Sequence, residues 1–128
     1  MSTETETPIE LSGAQVAKMV GFPAQKLATY VSNPDRWLSF FPDQGATGPG
    51  RYRYYRRGDV PVIAMLIDTS SYSQTLAVEF RRLLANEIRI AIASGSRPEW
   101  VHATVDRMTV SYQPRWELLD FDLDQLFD

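Results

Sequence analysis

Early in the chain a helix start, a helix stop and a second helix start follow one another closely, and this punctuation limits the possible folds more than any other feature. Ser12 and Gln15 stand at the spacing of a capping box, in which each side chain satisfies a backbone polar group of the other. Val16, Met19 and Val20 follow at helical spacing. Gly21 then ends the helix, because a turn through positive φ suits a residue without a Cβ. Pro23 predicts the opening of a second helix, where its missing N–H has no helical partner to lose. That helix turns Leu27, Tyr30 and Val31 inward and stops before Asn33-Pro34. Two helices crossing near a right angle need a small residue where they touch, here Ala17, and a glycine in the tight turn. A helix-turn-helix is the expected unit, with a plain helical hairpin as the competing reading of this segment alone.

Further along, residues 37–41 predict a short strand and residues 43–50 a loop rich in turn residues. Residues 51–55 alternate with strong β character and read as the returning strand of a long-tipped hairpin. Asp59 is a candidate N-cap for a third helix, Pro61 fits only in its first turn, and Val60, Ile63, Leu66 and Ile67 are its expected buried face. A polar break over 69–73 precedes a long amphipathic helix from Gln74, carrying Leu76, Phe80, Leu83, Leu84, Ile88, Ala91 and Ile92, with Gly95 beyond its end. Residues 88–93 also alternate, which keeps a strand reading open there. Ser96 and Glu99 repeat the capping-box spacing, with Pro98 between them, and predict a helix over 97–108. The β-branched Val101, Thr104 and Val105 oppose that helix. Residues 109–112 read as extended. The expectation is a mainly α protein: a winged helix-turn-helix, then a long amphipathic helix, then a C-terminal helical or extended appendage.

Charge gives that architecture a direction. The chain has 128 residues and a formal net charge of −3, which by itself argues against nucleic acid. Distribution matters more than the sum. Four arginines fall within seven residues, at Arg51, Arg53, Arg56 and Arg57, while the last thirteen residues hold five acids and no base. Both ends of this dipole also fit a plain solvated surface. On the outer face of the second helix, Ala24, Gln25, Lys26, Ala28 and Thr29 are placed to meet a major groove. A glutamine can bond an adenine edge, and a threonine can meet a base or a phosphate. Tyr30 is taken with them as a DNA-contacting candidate.

The segment from Gly50 to Val60 resembles the wing of MerR-type regulators and of the related phage excisionases, whose pattern is Gly-Gly-aromatic-Arg-x-Tyr, a polar pair and Asp-Val. Gly50, Tyr52, Arg53, Tyr55, Asp59 and Val60 match. Arg51 stands where the second glycine usually is, Arg56 where a serine usually caps the helix, and Phe22 where a cap residue usually precedes the recognition helix. The resemblance covers roughly residues 9–68. It implies double-stranded DNA as the partner, with Arg51, Tyr52, Arg53, Arg56 and Arg57 near phosphates and Tyr55 bracing the wing. It further implies a transcriptional regulator of phage or mobile-element context, bound as a homodimer to two half-sites. An architectural protein, like an excisionase or a terminase small subunit, is the other reading of the same module.

Four regions are therefore expected: a tail over 1–8 without structure of its own, a DNA-binding domain over 9–68, a helical dimerisation or packing region over 69–113, and an acidic tail over 114–128. That last tail alternates acid and hydrophobe. Trp116, Leu119, Phe121, Leu123, Leu126 and Phe127 are the candidates for a protein partner, as in an antitoxin-like module. Solubilising disorder is the alternative.

Other chemistry has little to stand on. The chain lacks cysteine, which removes disulfides and thiolate metal sites and suits a reducing cytoplasm. His102 is the lone histidine, and no metalloprotease helix, phosphate-binding glycine loop or dinucleotide fingerprint occurs. No nucleophile elbow is present. The expectation is a non-enzyme without cofactor or metal. The polar N-terminal segment does not read as a signal peptide, and the apolar stretch of residues 60–67 is too short to span a bilayer.

Overall fold

The computed structural model describes residues 10–33, 36–37, 40–41, 54–70 and 77–120. These residues form a mainly helical protein with two small antiparallel sheets of two strands each. In chain order the elements are β1 (Glu10–Ser12), α1 (Gly13–Val20), α2 (Ala24–Ser32), β2 (Tyr54–Arg56), a 3-10 turn at Arg57–Asp59, α3 (Val60–Ser70), α4 (Val78–Ser94), β3 (Val101–Val105), β4 (Met108–Tyr112) and a 3-10 segment at Trp116–Asp120.

The helix start at Ser12 forms as its spacing predicts. Ser12 Oγ accepts from the Gln15 N–H at 3.2 Å, and the Ser12 N–H donates to Gln15 Oε1 at 2.9 Å. Gly21 closes α1 at φ 70°, and the N–H groups of Gly21 and Phe22 both donate to the Ala17 carbonyl. A residue with a Cβ would be strained there. Pro23 lies one position outside α2 rather than in its first turn, and its carbonyl accepts the Leu27 N–H at 2.9 Å. The proline thus ends the turn and leaves α2 without a side-chain cap.

The partner of β2 differs from expectation. Trp37, Phe40 and Phe41, the described residues of the expected outgoing strand, do not form one: Trp37 lies in a turn, and the Phe40 N–H donates back to the Trp37 carbonyl at 3.0 Å. Instead β2 pairs with β1, in the register Glu10 to Arg56, Leu11 to Tyr55 and Ser12 to Tyr54. The physical reason is burial. Leu11 and Tyr55 face each other across the pair at 1% exposure each, and Tyr55 meets Phe41 edge-on with centroids 6.2 Å apart. Trp37, Phe40 and Phe41 are themselves buried, so their apolar character serves the core rather than a ladder. The expected loop over 43–50 and the strand residues Arg51, Tyr52 and Arg53 lie outside the described residues.

Asp59 does not cap α3 forwards. Its Oδ2 accepts the Arg56 N–H at 3.0 Å and so closes the 3-10 turn behind it. Pro61 does fall in the first turn of α3. Val60, Ile63 and Leu66 are buried as expected, but so are Val62, Ala64 and Met65. α3 is therefore apolar on most of its surface, as a helix enclosed by others must be. α1, α4 and the 3-10 segment of residues 116–120 surround it.

α4 buries Phe80, Leu84, Ala85, Ile88 and Ala91 and ends at Gly95, φ 74°. Residues 88–93 are thus helical. Arg81 is buried with them at 8% exposure. Its guanidinium donates to the Leu66 carbonyl at 2.8 Å and to the hydroxyls of Thr69 and Ser70 at 3.0 and 2.6 Å. A cation at the end of α3 complements the helix dipole and adds a charged donor to a carbonyl of the last turns, which the Thr69 and Ser70 hydroxyls also reach. Burial holds the Arg81 pKa below the usual arginine value.

The helix expected over 97–108 is a β-hairpin. β3 and β4 pair from Val101 with Tyr112 to Val105 with Met108. Asp106, at φ 56°, and Arg107 make the two-residue turn, a left-handed conformation that aspartate tolerates. Val101, Ala103 and Tyr112 are buried, while His102, Thr104, Thr109 and Ser111 are exposed. That period of two is the strand signal, and it outweighs the capping spacing at Ser96.

The C-terminal segment also corrects an expectation. Over 114–120 it is not an exposed tail: Pro114 and Leu118 are buried, and the Trp116 indole donates to the Pro98 carbonyl at 2.7 Å. Asp68 of α3 ties this end down, accepting from the Tyr112 hydroxyl at 2.7 Å and from Arg115 at 2.9 Å. One apolar cluster runs from Leu11 through α3 and α4 to Leu118, so it crosses both expected region boundaries, at 68 and at 113.

Candidate nucleic-acid interface

α2 is held by one face and free on the other. Leu27 and Val31 are buried, whereas Ala24, Gln25, Lys26, Ala28, Thr29 and Ser32 are exposed. Gln25, Ala28, Thr29, Ser32 and Asn33 line a shallow open recess of about 560 Å³. The hydroxyls of Thr29 and Ser32 donate to the carbonyls one turn back, Gln25 and Ala28, at 3.0 and 2.7 Å. Each hydroxyl oxygen keeps accepting capacity, and Gln25 is exposed beside them. The surface offers donors and acceptors with no large side chain in front of them.

Electrostatics favour an anion on this side. From Leu11 to Asn33 the chain contains two lysines and no acid. Residues 11–58 together hold seven cations and two acids, against six cations and fourteen acids in the rest. The two groups also differ in use. In the second, Arg81 caps α3, Arg89 donates to the Phe40 carbonyl at 2.8 Å, Arg97 pairs with Asp120 at 2.7 Å and Arg115 pairs with Asp68 at 2.9 Å. In the first, Lys18, Lys26 and Arg36 have no acid within ion-pair distance among the described residues.

Sequence reasoning missed Arg36. An aromatic cluster of Phe22, Tyr30 and Trp37 sits beside α2, with centroid separations of 4.9–5.9 Å. Lys26 Nζ lies 5.4 Å from the Phe22 ring centre and 5.6 Å from that of Tyr30, and Arg36 Cζ lies 4.6 Å from the Tyr30 centre. No spacing rule links residues 26 and 36; what they share is the Tyr30 ring.

The remaining candidates divide. Tyr30 is only half-exposed, with its ring inside the aromatic cluster, and Tyr55 is buried. Tyr55 therefore cannot contact DNA directly and instead positions β2. Arg56 is exposed. Arg57 is half-buried, and its guanidinium donates to the Leu119 carbonyl. Arg51, Tyr52 and Arg53 lie outside the described residues, as do Phe121, Leu123, Leu126 and Phe127. Trp116 and Leu119, read as partner anchors, are half-buried in the chain's own fold.

Elsewhere, His102 Nδ1 lies 2.8 Å from Ser111 Oγ on the exposed face of the hairpin. No carboxylate orients that ring among the described residues. Among the described residues no group of three or more acids and histidines could hold a metal, and no helix is long and apolar enough to cross a membrane. No protein-family model, curated protein or solved structure matches the chain.

Proposed function

We propose that this protein binds double-stranded DNA through α2 and acts as a sequence-specific transcriptional regulator. The observation that carries this is the outer face of α2, where Gln25, Ala28, Thr29 and Ser32 stand clear of the fold on a helix pair without a single acid. A helix presenting short polar side chains can enter a major groove, and the surrounding cations draw it to phosphates. In this reading α1, the Gly21 turn and α2 are a helix-turn-helix. The β1–β2 pair, which carries Arg56, serves as part of a wing, in keeping with the resemblance to MerR-type regulators and excisionases. No step of this reading needs a cofactor or a catalytic group.

The test is selection of binding sites from random duplexes, by the wild type and by Gln25→Ala and Thr29→Ala. The wild type should return a preferred site. Each variant should lose about 1–3 kcal/mol of discrimination at the bases it reads. The same preferred site from all three would place base reading elsewhere, and no enrichment at all would end the regulator reading. The mode of binding also favours a homodimer on two half-sites. Among the described residues, Val78, Leu83, Ile90, Trp100 and Met108 are the exposed large apolar groups available for its contact. Sedimentation of Ile90→Glu against the wild type decides that point.

A further inference from the structure

Lys26 and Arg36 are like charges that share one aromatic support. Both approach the Tyr30 ring within 6 Å, and both are exposed. The support is fixed: Trp37 is 2% exposed, its ring meets Tyr30 edge-on at 90°, and its backbone N–H donates to the Tyr30 carbonyl at 3.1 Å. The Arg36 N–H donates to the Asn33 carbonyl at 2.9 Å, which sets the turn that brings the guanidinium back over the ring. Aromatic faces attract both cations and narrow their conformational freedom. They do not neutralise them. Neither cation is paired with an acid among the described residues, so the charge of both stays open to an anion at this edge of α2.

We infer that Lys26 and Arg36 form a phosphodiester clamp at the edge of α2, with Tyr30 as its positioning residue. This inference rests on the DNA reading above and deepens it. The clamp grips the nucleic-acid backbone beside the groove that Gln25 and Thr29 enter. It therefore contributes affinity and register and carries no base preference. Because the aromatic support fixes both side chains before binding, less of their rotamer freedom is lost when a phosphate arrives. Tyr30 acts through the two cations and touches no base.

The experiment is a salt titration of binding to a duplex of random sequence, for the wild type, Lys26→Gln, Arg36→Gln, the double variant and Tyr30→Leu. Each lost phosphate contact should lower the slope of log affinity against log salt by about one unit, and the double variant by about two. Melting temperatures of the two glutamine variants should equal that of the wild type, since both side chains lie at the surface. Tyr30→Leu keeps both charges, so it should weaken binding several-fold while the slope stays near the wild-type value. If the wild type binds with a steep slope and the glutamine variants match it, the clamp is wrong and the DNA reading stands. If the wild type shows no salt-dependent binding, the DNA reading itself falls, and the clamp with it. A Tyr30→Leu variant that binds as well as the wild type would overturn the positioning role alone.

Discussion

The two halves of this molecule use most of their described cations differently, with the internally bonded Arg57 and the exposed Arg107 as exceptions. In the half that contains α1 and α2, Lys18, Lys26 and Arg36 face solvent without an acidic partner among the described residues. In the half that contains α4 and the hairpin, Arg81, Arg97 and Arg115 bind a helix end, Asp120 and Asp68. A charge that is satisfied internally supports the fold; one left open supports an encounter. The contrast lets a chain with a net charge of −3 carry exposed cations without an acidic partner on one side, among the described residues. It also predicts a separation of effects, with second-half substitutions moving stability and α2-face substitutions moving binding.

The largest effect is expected where both halves depend on one element. Ile63 of α3 is fully buried in the shared cluster. Ile63→Ala should cost about 3–5 kcal/mol by opening a cavity, and denaturant unfolding should remain one transition for the whole chain. Two separable transitions would mean that the halves are independent domains. Leu118→Ala comes next, at about 2–3 kcal/mol. Its side chain is 6% exposed, so the start of the acidic segment belongs to the core. A variant that melts like the wild type would return residues 114–120 to the status of a tail.

Arg81→Met should cost about 1–3 kcal/mol, because the Leu66 carbonyl and the Thr69 and Ser70 hydroxyls lose a charged donor in a buried place. DNA affinity at a temperature where the variant is folded should be unchanged. Ser12→Ala removes half of the capping box and should cost about 1 kcal/mol, read as a lower melting temperature.

The smallest effect belongs to the Arg97–Asp120 pair. A hydrogen bond from Arg97 holds the Asp120 carboxyl below the usual carboxylate range, and the same bond raises Arg97. Because the folded pKa is depressed, the pair's contribution is present above the ordinary carboxylate value and fades as pH falls through the depressed one. Both groups are exposed, so salt should return the Asp120 titration, followed by NMR, toward its ordinary position.

How far the chain could be read follows from the range of each signal. Ser12 and Gln15 formed their capping box, and Gly21 its left-handed turn, because those groups act within one helical turn. Ser96 and Glu99 have the same spacing and did not. There the alternation of Val101, His102, Ala103 and Thr104 against a partner strand took over, and Glu99 accepts instead from Gln113 at 3.3 Å. A local rule was outweighed by a pairing whose other half lies elsewhere in the sequence. The strand partner of Tyr54–Arg56 was illegible for the same reason, since β1 is three residues long and carries no alternation to detect. On α2 the exposed Gln25, Lys26 and Thr29 were legible from helical period alone, while Arg36 needed the turn after the helix to join them.

The central claim is that α2, and not the hairpin half, meets DNA. Amide chemical-shift mapping during titration with a duplex tests it most directly. Perturbations should concentrate at Ala24 to Asn33, Arg36 and Arg56, shrink as salt is raised, and leave β3 and β4 in place. Shifts confined to the hairpin or to the outer face of α4, or no shifts at low salt, would contradict it.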